Sequence, residues 1–209
     1  KPLASCACRQ VRAHGMRFAG RHRLVLYPEA KPLDVLADGE PIERARAQVA
    51  GLLGSPPGRI VFTSCATESN NLALQSAVQC MGKKHVITTA IEHTSVLRVC
   101  EDLEHWNHCT ADYLAVDEEG RMDAGAVHRA LTARTAVVSV MAANNEIGTI
   151  EPIYELASIC KERGIVFHSD AVQAAGKIPI DLKQNPITLM STSGHKIYGP
   201  KGVGVIFIR

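Results

Sequence analysis

The sequence predicts an α/β fold of three layers, a mainly parallel sheet with helices on both faces. Three observations carry that expectation. From Pro41 onward, short apolar, β-rich runs alternate with helical patterns of roughly 10–15 residues, the signature of βαβ units. One run, TAVVSVM (135–141), is apolar at almost every position, as a strand buried on both faces must be. Of the 209 residues, 46% are hydrophobic and 21% charged, which suits a single domain with one sizeable core.

The elements follow in order. Pro41 opens a helical pattern through Ile42, Ala45, Val49, Leu52 and Leu53, which Gly54 and the Pro56-Pro57 pair stop. RIVFTS (59–64) reads as a short strand. Thr67 is placed to cap a helix running through Leu72 and Leu74 towards Cys80. HVITT (85–89) is a strand, 95–103 a helix and 110–114 a further strand. Asp123 caps a helix that runs to about Leu131. After TAVVSVM comes a helix over 152–163, ended by Gly164, and then the strand IVFHS (165–169). Two more strands are expected at about 188–192 and 204–208. This division gives one domain, 41–209, after an irregular basic segment, 1–40.

That first segment holds Lys1, Arg9, Arg12, Arg17, Arg21 and Arg23, and its first carboxylate is Glu29. An acid-poor, Arg-rich start reads first as a surface tail or fragment boundary, and second as a mitochondrial or plastid leader. Cys6 and Cys8 form a C-x-C with no second ligand pair nearby, so they do not spell a metal site. The remaining cysteines, at 65, 80, 100, 109 and 160, are scattered. An odd total of seven suits a reducing compartment such as the cytoplasm better than a disulfide framework. Net charge is +2, from 23 basic and 21 acidic residues, so nothing global asks for nucleic acid. Aromatic residues make up 4%, too few for base-stacking platforms. No run of ~18 apolar residues occurs, so no membrane span is expected.

In sheets of this class ligands bind beyond the carboxyl ends of the strands, and the polar clusters fall there. RIVFTS runs into Cys65-Ala66-Thr67-Glu68-Ser69 at a helix start, where free backbone N–H groups and the positive dipole end suit a phosphate. The central strand leads to Ala143-Asn144-Asn145-Glu146. IVFHS ends at Asp170, with Gln173 one turn on, and the strand near 188–192 ends at Ser193-Gly194-His195-Lys196. Each cluster alone reads as a capped helix or a solvated loop; their joint placement points further. A lysine and an acid near a phosphate cradle suggest pyridoxal 5'-phosphate. A lysine amine can bond the cofactor aldehyde, and a carboxylate can keep the pyridine nitrogen protonated.

Five motifs then carry a resemblance: FTSCATESNNLAL (62–74), EHTSVL (92–97), NNEIGTIEPI (144–153), FHSDAVQAAGKIPID (167–181) and SGHKIYGPKGVG (193–204). Together they resemble the cysteine desulfurases of the NifS/IscS type, in the class V aminotransferase group of fold-type-I pyridoxal-phosphate enzymes. The resemblance spans about 42–209 and implies the large, cofactor-binding domain of that fold. It implies Lys196 as the lysine that bonds the cofactor, Asp170 as partner of the ring nitrogen, and Gln173 as donor to the phenolic oxygen. His93 would stack on the ring and serve as acid or base. Ala66, Thr67, Ser193 and His195 would bind the phosphate, Gly194 would keep their turn tight, and Asn145 would lie by the ring and the substrate carboxylate. Glu146 is expected to fix its loop. Cys65 stands where many relatives have glycine and lies in the cradle, away from any mobile loop, so it is read as non-catalytic. Cys80, Cys100, Cys109 and Cys160 are read as packing residues.

The activity implied is conversion of L-cysteine to L-alanine with sulfur passed to an enzyme persulfide, for iron–sulfur cluster assembly or other sulfur transfer. The partners implied are a sulfur-acceptor protein and a second copy of the chain. The small carboxy-terminal domain of the family, with its persulfide-forming cysteine loop and its carboxylate-gripping arginine, has no match before Arg209. The chain alone is therefore expected to lack complete desulfuration. Two other readings stay open, a related class V enzyme such as selenocysteine lyase and a non-catalytic remnant that binds cofactor.

Overall fold

A computed structural model describes residues 40–107 and 109–209. The expected irregular segment and the C-x-C at Cys6 and Cys8 lie outside the described residues. Seven strands form one sheet: β1 (Ile60–Thr63), β2 (His85–Thr89), β3 (Thr110–Leu114), β4 (Thr135–Ser139), β5 (Val166–Asp170), β6 (Leu189–Ser193) and β7 (Gly204–Ile208). Their spatial order is β1-β7-β6-β5-β4-β2-β3. The run from β6 to β3 is parallel throughout, while β7 lies antiparallel to both β6 and β1. Because β7 reverses direction once on each side, β1 points the same way as the parallel strands. All but one of the strands thus open their carboxyl ends onto one edge.

Among the described residues, five helices cover the two faces: α1 (Glu40–Leu52), α2 (Ala66–Met81), α3 (Thr94–Asn107), α4 (Ala124–Ala130) and α5 (Ile153–Glu162). The strands divide their side chains by the two-residue period. Val86, Val137, Val166, Leu189 and Ile206 meet α2 and α3, while Ile87, Val138, Phe167, Met190 and Phe207 meet α1, α4 and α5. This alternation is the three-layer arrangement that the apolar runs predict. Asp123 caps α4 as expected, its Oδ1 accepting from the Gly125 N–H at 2.8 Å. The N-cap of α2 differs from expectation. Cys65 occupies it with extended backbone and no side-chain cap bond, so α2 begins at Ala66 and Thr67 lies inside its first turn. Cys100, Cys109 and Cys160 are free and buried, as packing residues should be, but Cys80 is disulfide-bonded.

Candidate functional site

The carboxyl edge of the sheet builds one cavity of about 160 Å³. Its walls are Cys65, Ala66 and Thr67 after β1, His93 and Ser95 after β2, Met141, Ala143 and Asn145 after β4, Asp170, Val172 and Gln173 from β5 onward, and Ser193, His195 and Lys196 after β6. Nine of the ten residues expected at a site thus border one space. The tenth, Gly194, sits in the same turn behind them. A larger hollow of about 370 Å³ opens at the opposite edge, bordered by Lys161, Lys183 and Arg209. It gathers lysines and an arginine but no carboxylate, histidine or thiol, so the smaller cavity is the candidate site.

The turn after β1 leaves the start of α2 open. The first N–H groups of a helix have no partner within it, and no side chain of the N-cap takes them up here. Glu68 turns away from the cavity, its Oε2 accepting from the Ser64 N–H at 2.6 Å and the Ser64 hydroxyl at 2.7 Å. This fixes the strand-to-helix corner and removes the nearest carboxylate from the anion-suited face. Gly204 of β7 packs against the corner. A Cβ there would lie 2.4 Å from the Cys65 carbonyl carbon and 2.5 Å from Thr63 Oγ1.

Asp170 closes β5 and is buried. Its Oδ1 accepts from the Val172 N–H at 3.0 Å and its Oδ2 from the Asn70 amide at 2.8 Å. Burial pushes its carboxyl above the ordinary carboxylate range, against the pull of those bonds and of His93. Among the described residues it has no ion-pair partner. Gln173 spends its Oε1 on the Lys177 ammonium, 2.9 Å away, which leaves its amide hydrogens as donors. Lys196 lies exposed on a 3-10 turn, Gly194–Ile197, and it too has no ion pair among the described residues. That turn is tight: Gly194 N–H donates to Val203 O at 2.9 Å, and a Cβ on Gly199 would lie 2.9 Å from Gly194 O. Ser193 Oγ and His195 Nδ1 lie 2.8 Å apart.

His93 directly precedes α3, and its Nδ1 accepts from the Ser95 N–H at 3.1 Å and lies 2.7 Å from the Ser95 hydroxyl. Asn144, not Glu146, ties the following loop. Its Oδ1 accepts from the Glu146 and Ile147 N–H groups and its amide donates to Ile91 O. Asn145 is thereby presented to the cavity, while Glu146 is exposed. Asn70 and Ser95 are site residues that sequence reasoning missed, and Asn144, named only as part of its cluster, holds the loop that presents Asn145. For Asn70 a signal existed: it falls one helical turn after Ala66 and Thr67, on the face they share. Glu92 was missed as well. It is fully buried, and its Oε1 accepts from the Thr89 hydroxyl at 3.0 Å and the Met141 N–H at 2.8 Å. Burial, with Asp170 and Glu151 adding like charge, pushes its carboxyl up to about 8.

A cavity at the strand ends of a doubly covered, mostly parallel sheet, with an open helix start beside it, defines a ligand-binding α/β domain. Comparison with known proteins narrows this. Residues 38–209 match the family described as aminotransferase class-V, and the chain belongs to that family. Its cofactor is pyridoxal 5'-phosphate. The chain is 47% identical over 172 residues to a cysteine desulfurase from Nostoc sp., a match covering 82% of this chain and 43% of that one. Among solved structures, a NifS-like protein superposes with a TM-score of 0.78 at 40% identity, covering 82% of this chain and 48% of the other. A structure described as SspA in complex with cysteine matches with a TM-score of 0.77 at 36% identity, covering 88% and 54%. The chain spans less than half the length of the curated relatives it matches. No helix among the described residues is long and apolar enough to cross a membrane.

Proposed function

We propose that residues 41–209 form the cofactor-binding large domain of a pyridoxal-phosphate-dependent cysteine desulfurase, with L-cysteine as substrate and L-alanine as product. One observation carries the reading. Asp170 is a buried carboxylate with no cationic partner among the described residues, set in the same cavity as an open helix start and a lysine that has no ion pair among them. A protonated pyridine nitrogen supplies the missing positive charge, a phosphate suits the free N–H groups of α2, and the lysine amine is free to bond an aldehyde. The donor set fits the group in all three respects.

Bound, the cofactor supplies an aldehyde for the amino-acid amine and an electron sink for negative charge at the substrate Cα. The protein's own residues do the rest. Lys196 would be the covalent anchor and an amine able to move a proton at Cα. Asp170 would keep the ring nitrogen protonated, and the low dielectric around it would strengthen that pairing. Gln173 would donate its amide to the phenolic oxygen. Ala66 and Thr67 would hold the phosphate from the α2 start, and Ser193 and His195 would hold it from the facing turn, which Gly194 lets close. His93 would stack on the ring, and Asn145 would hold the substrate carboxylate. An enzyme thiolate would take the substrate sulfur as a persulfide while the Cβ–S bond breaks, and the electron pair left on carbon would be protonated to give L-alanine. Cys65 is not that thiol, because the cradle turn holds it at the phosphate end. A sulfur-acceptor protein serving iron–sulfur cluster assembly and a second copy of the chain complete the proposal.

The test is a titration of the purified chain with pyridoxal phosphate, followed by borohydride and peptide mapping. The expected result is a yellow complex with the label fixed on Lys196, and no label in Lys196→Ala. Labelling of another lysine, or none in folded protein, refutes the reading.

A further inference from the structure

Asn70 is buried in α2 beneath the cavity and has no place in the roles above. Its amide nitrogen carries two hydrogens. One reaches Asp170 Oδ2 at 2.8 Å and the other Ser95 Oγ at 2.9 Å. The opposite amide orientation would set an oxygen against the carboxylate, so Asp170 fixes which way Asn70 points. Its Oδ1 has no hydrogen-bond partner although it is buried. An orphaned buried acceptor costs stability, so the residue is there for its two donors.

The Ser95 hydroxyl, having accepted from Asn70, has its own hydrogen free for His93 Nδ1, 2.7 Å away. The Ser95 backbone N–H points at the same nitrogen from 3.1 Å. Two donors converging on Nδ1 require its lone pair, because a hydrogen there would meet the Ser95 amide hydrogen head on. In the neutral ring the proton then belongs to Nε2.

We propose that Asn70 is a positioning residue that joins Asp170 to His93 through Ser95, and that this bridge holds His93 as the Nε2–H tautomer. His93 then meets whatever lies over it as a hydrogen-bond donor. It cannot take up a proton at Nε2 without first giving up the bonds at Nδ1. This narrows the acid-or-base role that the family resemblance implies for it. The part concerning the cofactor rests on the proposed function; the part concerning the tautomer does not.

The experiment reads the ring nitrogens directly. Chain labelled with ¹⁵N-histidine, without cofactor and above the pH at which the ring is charged, is examined by long-range ¹H–¹⁵N correlation, with His93→Gln assigning the signal. The expected pattern is the Nε2–H tautomer at about ten to one or better. In Asn70→Leu, which keeps the volume and removes both donors, the pattern should move towards a mixture. Affinity for pyridoxal phosphate should fall about ten-fold, as loss of a hydrogen bond to a charged group implies. Ser95→Ala breaks the bridge at its second link and decides the matter if Asn70→Leu does not fold. It should shift the His93 signals while costing less cofactor affinity than Asn70→Leu. A parent dominated by the Nδ1–H form overturns the proposal, and so does an unchanged His93 pattern in both variants. If the parent binds no cofactor, the proposed function fails, and the tautomer measurements still decide this inference.

Discussion

Replacing Glu92 with glutamine probes how the floor beneath the site is charged. Glu92 is buried between β2 and β4, and its carboxyl is pushed up to about 8 from an ordinary value of 4.5. The folded state therefore holds a proton that the unfolded state releases. The stability this confers is fully present below about pH 4.5 and is lost as pH rises through about 8. Between pH 6.5 and 8 the difference amounts to about 1.5 kcal/mol, from ~1.4 kcal/mol per unit with the slope flattening near the folded value. Glutamine keeps the oxygen that accepts from Thr89 and Met141 and cannot ionise. Its extra N–H finds no partner where Oε2 has none, so Glu92→Gln should be somewhat less stable than the parent at pH 6.5. By pH 8 it should have recovered about 1.5 kcal/mol of that gap. Urea unfolding of both proteins across this range measures it. Parallel stability curves for parent and variant would refute the claim that Glu92 is protonated in the fold.

Other perturbations follow from the same geometry. Gly204→Ala puts a methyl group against the backbone of the cradle corner. It should cost about 1–3 kcal/mol in unfolding experiments and weaken cofactor binding in titration, whereas Gly51→Ala in α1, where a Cβ meets nothing within 4 Å, should spare the cradle. Asp170→Asn keeps the shape and removes the charge, and its amide nitrogen opposes either the Val172 N–H or the Asn70 amide; cofactor affinity should drop at least about 30-fold and the cofactor-free chain should lose about 1–3 kcal/mol, both read by parallel titration and unfolding. His168 is buried, with Ser139 Oγ 2.8 Å from its Nδ1 and Ser191 Oγ 3.0 Å from its Nε2, and burial pulls its pKa down to about 3. It is therefore neutral in the fold, and its stabilising share is lost as pH falls below ~6.5. In the Glu92→Gln background, where the opposing slope of Glu92 is gone, stability should fall by up to ~1.4 kcal/mol per unit from pH 6.5 towards 4.5, and urea midpoints across that range will show whether it does.

What could be read in advance follows from which forces act locally. The inner strands are legible because a strand covered on both faces must be apolar at successive positions, as Val137-Val138 and Val166-Phe167 are, while the mostly exposed edge strand β3 follows from its spacing between two helices. The cavity was visible because chemistry gathers where such strands end, and nine of the ten expected residues border it. The bridge from Asp170 to His93 was not. It joins residues 25 and 100 positions apart through side chains that look like ordinary helix polars. Nor does a local pattern announce the buried Glu92, since Glu-His after a strand reads equally well as a solvated turn. The α2 cap was misplaced by one turn chemistry against another. Thr67 has the better capping side chain, but Thr63 and Glu68 fix the corner, with Thr63 Oγ1 donating to Cys65 O at 3.1 Å and bonding Ser69 Oγ at 2.8 Å.

The placement of β7 has a bearing on how the chain comes to be folded. Among the described residues, β1 touches the sheet only through β7, with Ile60 opposite Phe207. On a growing polypeptide, β1 and the corner after it emerge long before β7, the described edge they join. The parallel half can assemble as it is synthesised, whereas the corner at Cys65–Thr67 must wait and close over a very long loop, a slow step in any chain. Until then β1 lacks its described neighbour, and an apolar strand in that state is the kind of segment chaperones shield. Anion-holding turn and lysine-bearing turn, which flank β7 on either side, are brought together in that same closure.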